Sequence, residues 1–420
     1  MTISSEKPLK ILMINKFYHL FGGAETCFFA TKKLFENRGH QVVVFSMNHP
    51  KNLPSPQSKY FTEYLDFSGD TKYGPRDKLH VAMKLIYSFE AKKKIAALIK
   101  DEKPDVAHMH NIYHHLSPSI ISQLHRAGVP TLMTLHDNNL ICLNYLMVSD
   151  EKVCEACRKQ QFWRALPKRC VKNSFTKTAL SYIEHGIHRF MRLYEKIDLL
   201  ITPSDFLRRQ HIKMGLDPHR FVTIENFMDI EDYKPKYEHE GYILYFGRLS
   251  FEKGIDILIR AMLDLPDIPL KIAGSGPKEP KLSAIAEEIG VGNVEFLGFK
   301  TGNDLVNLVR NSAFTIVPSI CYENCSMTVL ESFAYGKPVI GSEIGGIPEQ
   351  VLHGKNGYLF QPGNVDKLSK LIRELYKTPE LIRQMGKEAR KTVETKYSDE
   401  RHYEKLMEVY QRLIDEKSRP

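Results

Sequence analysis

Two doubly wound α/β domains facing each other across a cleft are the architecture this sequence predicts. Three observations carry the prediction. Short apolar runs alternate with helical stretches through the first half, as in KILMIN (10–15) and QVVVFS (41–46). The alternation restarts after an irregular stretch, 226–240, with YILYF (242–246). The chain of 420 residues is also too long for one ordinary domain, at roughly 150 residues each. Repeated strand–helix alternation implies a mostly parallel sheet covered on both faces. Ligands then bind at the carboxyl ends of the strands. The expected boundaries are 1–225 for the first domain, 226–397 for the second and 398–420 for a final helix.

The first strand leads into a loop holding Gly22-Gly23-Ala24-Glu25, then a helix to Asn37 that Gly39 ends. Strand 41–46 completes a βαβ unit with a glycine pair at its first turn. Val81, Leu85, Ile86, Phe89, Ile95 and Leu98 recur at helical spacing and predict one helix over about 84–100. Lys92, Lys93, Lys94 and Lys100 make it basic. Further strands are expected at VAHMH (106–110), TLMTLHD (131–137) and IDLLIT (197–202). The second half adds strands at 242–246, 270–273, 294–297, 314–318 and 338–342. A helix over 398–417 closes the chain, with Ser398 as N-cap and Glu400 in the first turn.

Composition bounds the function. Hydrophobic content of 42% and charged content of 26% are ordinary globular values, which excludes a disordered or collagen-like chain. No apolar run approaches ~20 residues, so no spanning helix is expected. The start, MTISSEKPLKILMINKF, lacks the pattern of a secretory signal, and seven cysteines is an odd number. Both point to a reduced, cytosolic protein. The net charge of +9 is uneven: residues 1–225 carry 33 Lys+Arg against 21 Asp+Glu, and residues 226–420 carry 26 against 29. A basic first half suits an anionic partner such as a membrane surface or a phosphorylated substrate; an ordinary solvated surface is the alternative.

Two loops in the second half concentrate phosphate chemistry. The first is Gly247-Arg248-Leu249-Ser250-Phe251-Glu252-Lys253-Gly254, directly after a strand. Glycines let a ligand approach the backbone. Arg248 presents a fork to phosphate oxygens and Lys253 a point charge. Two fixed cations suit a departing diphosphate, whose negative charge grows as the bond breaks. The second is Tyr322-Glu323-Asn324-Cys325-Ser326-Met327-Thr328-Val329-Leu330-Glu331. A helix beginning near 324–326 presents free N–H groups to a phosphate or a sugar. Glu323 lies before that helix and Glu331 about two turns inside, placed to accept hydroxyls at two ends of one elongated ligand. A further helix start, Gly345-Gly346-Ile347-Pro348-Glu349, is expected to turn more N–H groups toward the cleft.

Glu323 and Glu331, the Gly247-Arg248 and Glu252-Lys253-Gly254 loop and the Gly22-Gly23 turn, in this order, resemble retaining glycosyltransferases of the GT-B fold, and more narrowly glycosyltransferase family four (glycosyl transferases group 1). The resemblance spans nearly the whole chain and is strongest over 241–365. It implies that Arg248 and Lys253 stabilise the leaving diphosphate, that Glu323 lies near the donor sugar's hydroxyls, and that Glu331 holds the ribose. It places Asn324, Cys325, Ser326 and Met327 along the donor sugar and phosphate, with Gly247, at the start of the loop of Arg248 and Lys253, also on the donor. Gly22 and Gly23 correspond to the turn that lets donor phosphate approach the first domain, and His136 to a histidine near the reacting sugar. The base is expected near Phe299. The donor is then a nucleotide diphosphate sugar, transferred with retention and with no catalytic metal. The family's final helix typically crosses back to the first domain.

Four cysteines, Cys142, Cys154, Cys157 and Cys170, lie in a polar, turn-rich insert at about 142–170. Their C-x11-C-x2-C-x12-C spacing suits a structural tetrahedral zinc; unligated thiols or a stress disulfide is the alternative. His108, His110, His114 and His115 read as a strand end, with His110 and Asn111 lining the acceptor cleft, rather than as a metal cluster. Cys27, Cys321 and Cys325 read as packing thiols. The basic helix near 92–94 and the stretch 158–177, which includes Trp163, suit anionic lipid. The expected acceptor is a lipid-linked or growing saccharide in envelope polysaccharide assembly, handled in the cytoplasm or at the inner membrane face. A nucleotide-sugar epimerase of the same architecture is the competing enzyme. A nicotinamide dehydrogenase needs a fuller glycine turn, and no interleaved aromatic and basic motif suggests nucleic acid.

Overall fold

The computed structural model describes residues 7–65 and 74–418. Residues 1–6, where the reading of the chain's start begins, and 419–420, at the end of the final segment, lie outside them.

Among the described residues, eight strands fall in the first half: β1 (Lys10–Ile14), β2 (Gln41–Phe45), β3 (Val106–Met109), β4 (Thr131–Thr134), β5 (Val148–Ser149), β6 (Lys152–Val153), β7 (Leu199–Thr202) and β8 (Phe221–Thr223). Six form a parallel sheet in the order β2-β1-β3-β4-β7-β8, while β5 and β6 pair as a small antiparallel ribbon. The second half holds β9 (Ile243–Phe246), β10 (Leu270–Ala273), β11 (Val294–Gly298), β12 (Thr315–Val317), β13 (Val339–Ser342) and β14 (Gly357–Phe360). These make a second parallel sheet, β11-β10-β9-β12-β13-β14. In each sheet the order reverses beside the first strand, so a crevice opens there at the carboxyl ends.

Central strands such as β3, β4, β7 and β9 are buried along their whole length, which is why they read as apolar runs rather than alternating ones. The pleat sorts their side chains. Ile11, Met13 and Val44 enter one core with Phe28 and Phe35, and Leu12, Ile14 and Val43 enter another with Ile95 and Ile120. Likewise Ile243 and Tyr245 lie on one face of the second sheet, Leu244 and Phe246 on the other. The edge strands β8 and β14 are absent from the sequence reading. Both are only partly buried, so neither forms the fully buried apolar run that marks the central strands.

The predicted helix over 84–100 is two helices, Pro75–Ile86 and Phe89–Glu102. Ser88 makes the break: its Oγ accepts from the Ala91 N–H at 3.1 Å, and its own carbonyl accepts from Ser119 Oγ at 2.8 Å. The final helix runs Asp399–Ser418. Its Tyr403, Leu406, Tyr410 and Leu413 share a core with β1 and the Gly23–Asn37 helix. Buried hydrogen bonds from His108 Nδ1 to Tyr410 Oη (2.7 Å) and from His40 Nε2 to Tyr403 Oη (2.8 Å) fix it there. The chain thus passes from one sheet to the other near Met228 and returns at Ser398, and these two residues form a bridge.

Candidate active site

Two adjoining cavities occupy the crevice between the sheets, and both are lined by Gly23 and Met327. The larger, about 1370 Å³ with its open mouth, is bordered by Gly22, Gly247, Arg248, Phe299, Thr328 and Glu331. The other, about 1020 Å³ counted the same way, is bordered by Asn111, His136, Asn226, Lys253, Glu323, Asn324 and Cys325. Together they are roomy enough for a ligand larger than an ordinary drug-sized molecule.

The loop after β9 is held open by glycine. Gly254 has φ of 62°, and a Cβ there would lie 2.2 Å from the Pro318 carbonyl oxygen. No other residue fits without moving that strand end. The turn aims Lys253 at Glu323, with Nζ 2.6 Å from Oε1. Ser319 Oγ donates to the same oxygen at 2.7 Å. Burial alone would pull the Lys253 ammonium down. The Glu323 carboxylate outweighs it and raises the group above its ordinary value, so it stays charged. Arg248 faces the neighbouring cavity and is close enough to Lys253 to repel it. Glu331 is different. Burial pushes its carboxyl up to about 7.

The Met327–Ala334 helix starts at the cavity edge, with Ser326 as its extended N-cap. Ser326 itself is buried, and its N–H donates to Gln350 Oε1 at 2.8 Å. Among the predicted donor contacts it is the one that lines neither cavity. The Gly345-Gly346 turn also does something other than expected. The Gly346 N–H donates to the Glu323 carbonyl at 2.7 Å, and a Cβ on Gly346 would lie 1.9 Å from the Asn324 carbonyl oxygen. These glycines clamp the 323–324 loop rather than facing the ligand.

The first sheet supplies His136 just beyond β4. Its Nε2 lies 2.9 Å from His110 Nδ1, and its carbonyl accepts from Asn324 Nδ2 at 2.7 Å across the crevice. Burial lowers the imidazole to about 4, so it is neutral at pH 7. His110 lies behind it, fully buried, while Asn111 reaches the cavity wall. At Gly22, φ of −166° is extended backbone open to any residue. A Cβ on Gly23 would meet only Met327 Cγ at 3.9 Å. Protein packing therefore demands glycine at neither position; any demand comes from what fills the cavity.

The profile of Glycosyltransferase Family 4 matches residues 21–232, and that of Glycosyl transferases group 1 matches 228–392. The chain belongs to glycosyltransferase family 4. An uncharacterized glycosyltransferase of Methanocaldococcus jannaschii is 26% identical over 412 residues, covering 96% of this chain and 98% of that one. A GDP-mannose-dependent monoacylated alpha-(1-6)-phosphatidylinositol monomannoside mannosyltransferase of Corynebacterium glutamicum is 32% identical over 218 residues, 48% of this chain and 56% of its own length. Anabaena HepE, solved in complex with UDP and glucose, superposes with a TM-score of 0.65 at 18% identity, covering 96% of this chain and 99% of that one. The two sheets are therefore the two halves of a GT-B fold.

Several residues of this family 4 site escaped the sequence reading. Asn226, in the crossing segment, accepts from Cys27 Sγ at 3.5 Å and faces Met327 Sδ at 3.7 Å. The Glu349 carboxylate accepts the N–H groups of Asp205 and Phe206 at the start of a helix in the other half. Tyr322 Oη donates to Glu155 Oε1 at 3.0 Å, and Tyr145 and Leu146 border the His136 cavity. The cysteine insert is thus part of the cleft wall. Tyr322 and Glu349 stand in segments the sequence singled out, but their contacts, with partners 100 or more residues away, carried no local signal; Asn226, Tyr145 and Leu146 sit in segments without period.

In the insert, Cys142, Cys154, Cys157 and Cys170 are unlinked thiols. Cys142 and Cys154 each interact electrostatically with both Cys157 and Cys170, as do those two with each other. Among the described residues, the trio whose ligand atoms all lie within 4.8 Å is instead Cys27, His110 and His136.

Proposed function

We propose that this glycosyltransferase moves a sugar from a nucleotide diphosphate sugar to an acceptor with retention of anomeric configuration. One observation carries the reading: a Lys253–Glu323 pair and a neutral His136 border one cavity, while Arg248, Glu331 and exposed Phe299 border the next. The nucleotide occupies the larger cavity, its base near Phe299 and its ribose on Glu331. The diphosphate spans the junction at Gly23 and Met327, where Arg248 and Lys253 draw off the negative charge that grows on departure. The sugar lies against Glu323, Asn324 and His136. Lys253 is held charged by Glu323 and so acts as a fixed cation, while Glu323 keeps its second oxygen for a sugar hydroxyl. A neutral imidazole at His136 adds no charge to an oxocarbenium-like centre. The acceptor enters from the same face, and no side chain is assigned as covalent nucleophile. No step uses a catalytic metal.

The acceptor in this reading is a lipid-linked or growing saccharide of envelope polysaccharide assembly, handled at the cytoplasmic side; the phosphatidylinositol monomannoside in the Corynebacterium relative's name supports its lipid-linked form. In the insert, Cys142, Cys154, Cys157 and Cys170 would hold a structural zinc as thiolates, and the metal would tie the turn-rich segment together. Metal analysis of protein purified without added metal checks this, and well below one zinc per chain defeats it. A thermal-shift series with UDP, GDP, ADP and their sugars tests the donor, because a ligand bound only by the native state raises the melting temperature. No shift with any of them removes the reading. Release of nucleotide only when an acceptor is present separates transfer from epimerisation.

A further inference from the structure

The helix Phe175–Phe190 is built inside out. Its buried positions are Thr178, Ser181, Glu184, His185 and His188, all polar. They are paired beneath the surface. Glu184 Oε1 meets His114 Nδ1 at 3.1 Å, His185 meets the carbonyls of Ser181 (2.9 Å) and Asn139 (3.0 Å), and His188 meets the carbonyl of Ile86 (2.7 Å). Four apolar side chains point the other way, with Leu180 and Ile187 between the two faces: Phe175 is 55% exposed, Tyr182 37%, Ile183 50% and Phe190 90%. Spaced seven or eight residues apart, they share one stripe of a helix with 3.6 residues per turn. An ordinary surface helix does the reverse.

Trp163, 55% exposed, adds an outward aromatic side chain on a neighbouring turn. Its turn, Phe162–Ala165, packs on the same helix, with the Phe162 and His185 rings 5.2 Å apart. A contiguous apolar face of this kind marks a contact surface. Charge selects the partner. Residues 158–192 hold nine Lys and Arg, all exposed, and one acid, Glu184, which is buried. A second copy meeting this face would set cations against cations. An anionic lipid surface complements it, with aromatic rings at headgroup depth and cations on the phosphates.

We propose that the Phe175–Phe190 helix, together with Trp163, docks the chain on an anionic lipid surface. No helix among the described residues is long and apolar enough to cross a membrane, and the docked helix lies in the plane of the interface. The proposal rests on this face alone and holds whether or not the cleft transfers a sugar. The basic stretch at 158–177 was visible in the sequence; the outward apolar stripe needed the burial of the opposite face to be known.

Co-sedimentation of the full chain with vesicles tests it, using phosphatidylcholine alone and phosphatidylcholine with about 30% phosphatidylglycerol at low and high salt. The expected result is binding to the anionic vesicles only, weakened by salt. Binding falls about tenfold or more in the Phe175→Ser/Phe190→Ser variant. Both side chains face outward, so the variant's melting temperature should match the parent's. A second variant, Lys168→Gln/Arg169→Gln/Lys172→Gln/Lys177→Gln, keeps the stripe and loses the salt-sensitive part. Absence of binding to anionic vesicles overturns the proposal, as does equal binding by parent and serine variant. So does a dimer in solution that Phe175→Ser/Phe190→Ser dissolves, which assigns the face to a second copy.

Discussion

The two walls of the cleft are built on different principles. The wall from the second half is a set of short loops between parallel strands, each locked by a glycine that nothing larger can replace. Gly254 lies against the Pro318 carbonyl and Gly346 against the Asn324 carbonyl. Its charged groups are oriented in advance, as the 2.6 Å Lys253–Glu323 pair shows. The wall from the first half carries buried neutral imidazoles, His110 and His136, and an insert with little regular structure. Nine of the described non-glycine residues with positive φ fall between 145 and 173. One wall is rigid, its loops fixed by close glycine contacts, and the other is irregular.

Damage to the rigid wall should therefore cost most. Arg248→Ala is expected to add about 3 kcal/mol to the barrier, a turnover loss on the order of a hundredfold, with smaller change in donor affinity. Near-normal turnover on the true substrate would remove Arg248 from the reaction. Gly346→Val comes next. Its side chain displaces the 323–324 loop, so donor binding should fall at least about tenfold while the variant remains folded, as judged by calorimetry with and without donor.

Glu331→Gln sharpens the comparison through pH. The Glu331 carboxyl sits at about 7 because it is buried. If its ionised form accepts the ribose hydroxyls, donor affinity rises from pH 6 to pH 8, and the glutamine variant flattens that rise. The stability sign is opposite. A carboxyl raised above its unfolded value binds a proton more tightly when folded, so the empty protein loses stability as pH rises from the ordinary glutamate range to about 7. Glu331→Gln should then raise the melting temperature of the ligand-free protein above pH 7, by a few degrees at most. Where the two halves meet, Glu349→Ala frees the Asp205 and Phe206 N–H groups and should cost only about 1 kcal/mol of stability, read by denaturant titration.

The same contrast explains what was legible beforehand. Most strands of both halves were legible as apolar runs between Pro and Gly, because a fully buried parallel strand leaves little room for other residues, while the edge strands β8 and β14 were not. Arg248, Lys253, Glu323 and Glu331 stood out because charge and glycine are costly at strand ends and imply a ligand. The break at Ser88 was missed because the apolar spacing runs through it, and only Ser117 and Ser119 reveal the cap. Asn226 and Glu349 were missed because their partners come from the other half. The Gly345-Gly346 segment was read as a helix start turned toward the cleft, whereas its glycines pack against the 323–324 loop. Sequence carries what a loop must tolerate, and the fold supplies what approaches it.

A crystal structure with an intact nucleotide diphosphate sugar tests the central claim most directly. The account predicts the diphosphate within hydrogen-bond reach of both Arg248 and Lys253, the ribose on Glu331 and the sugar between Glu323 and His136. A diphosphate bound out of reach of both cations would contradict it.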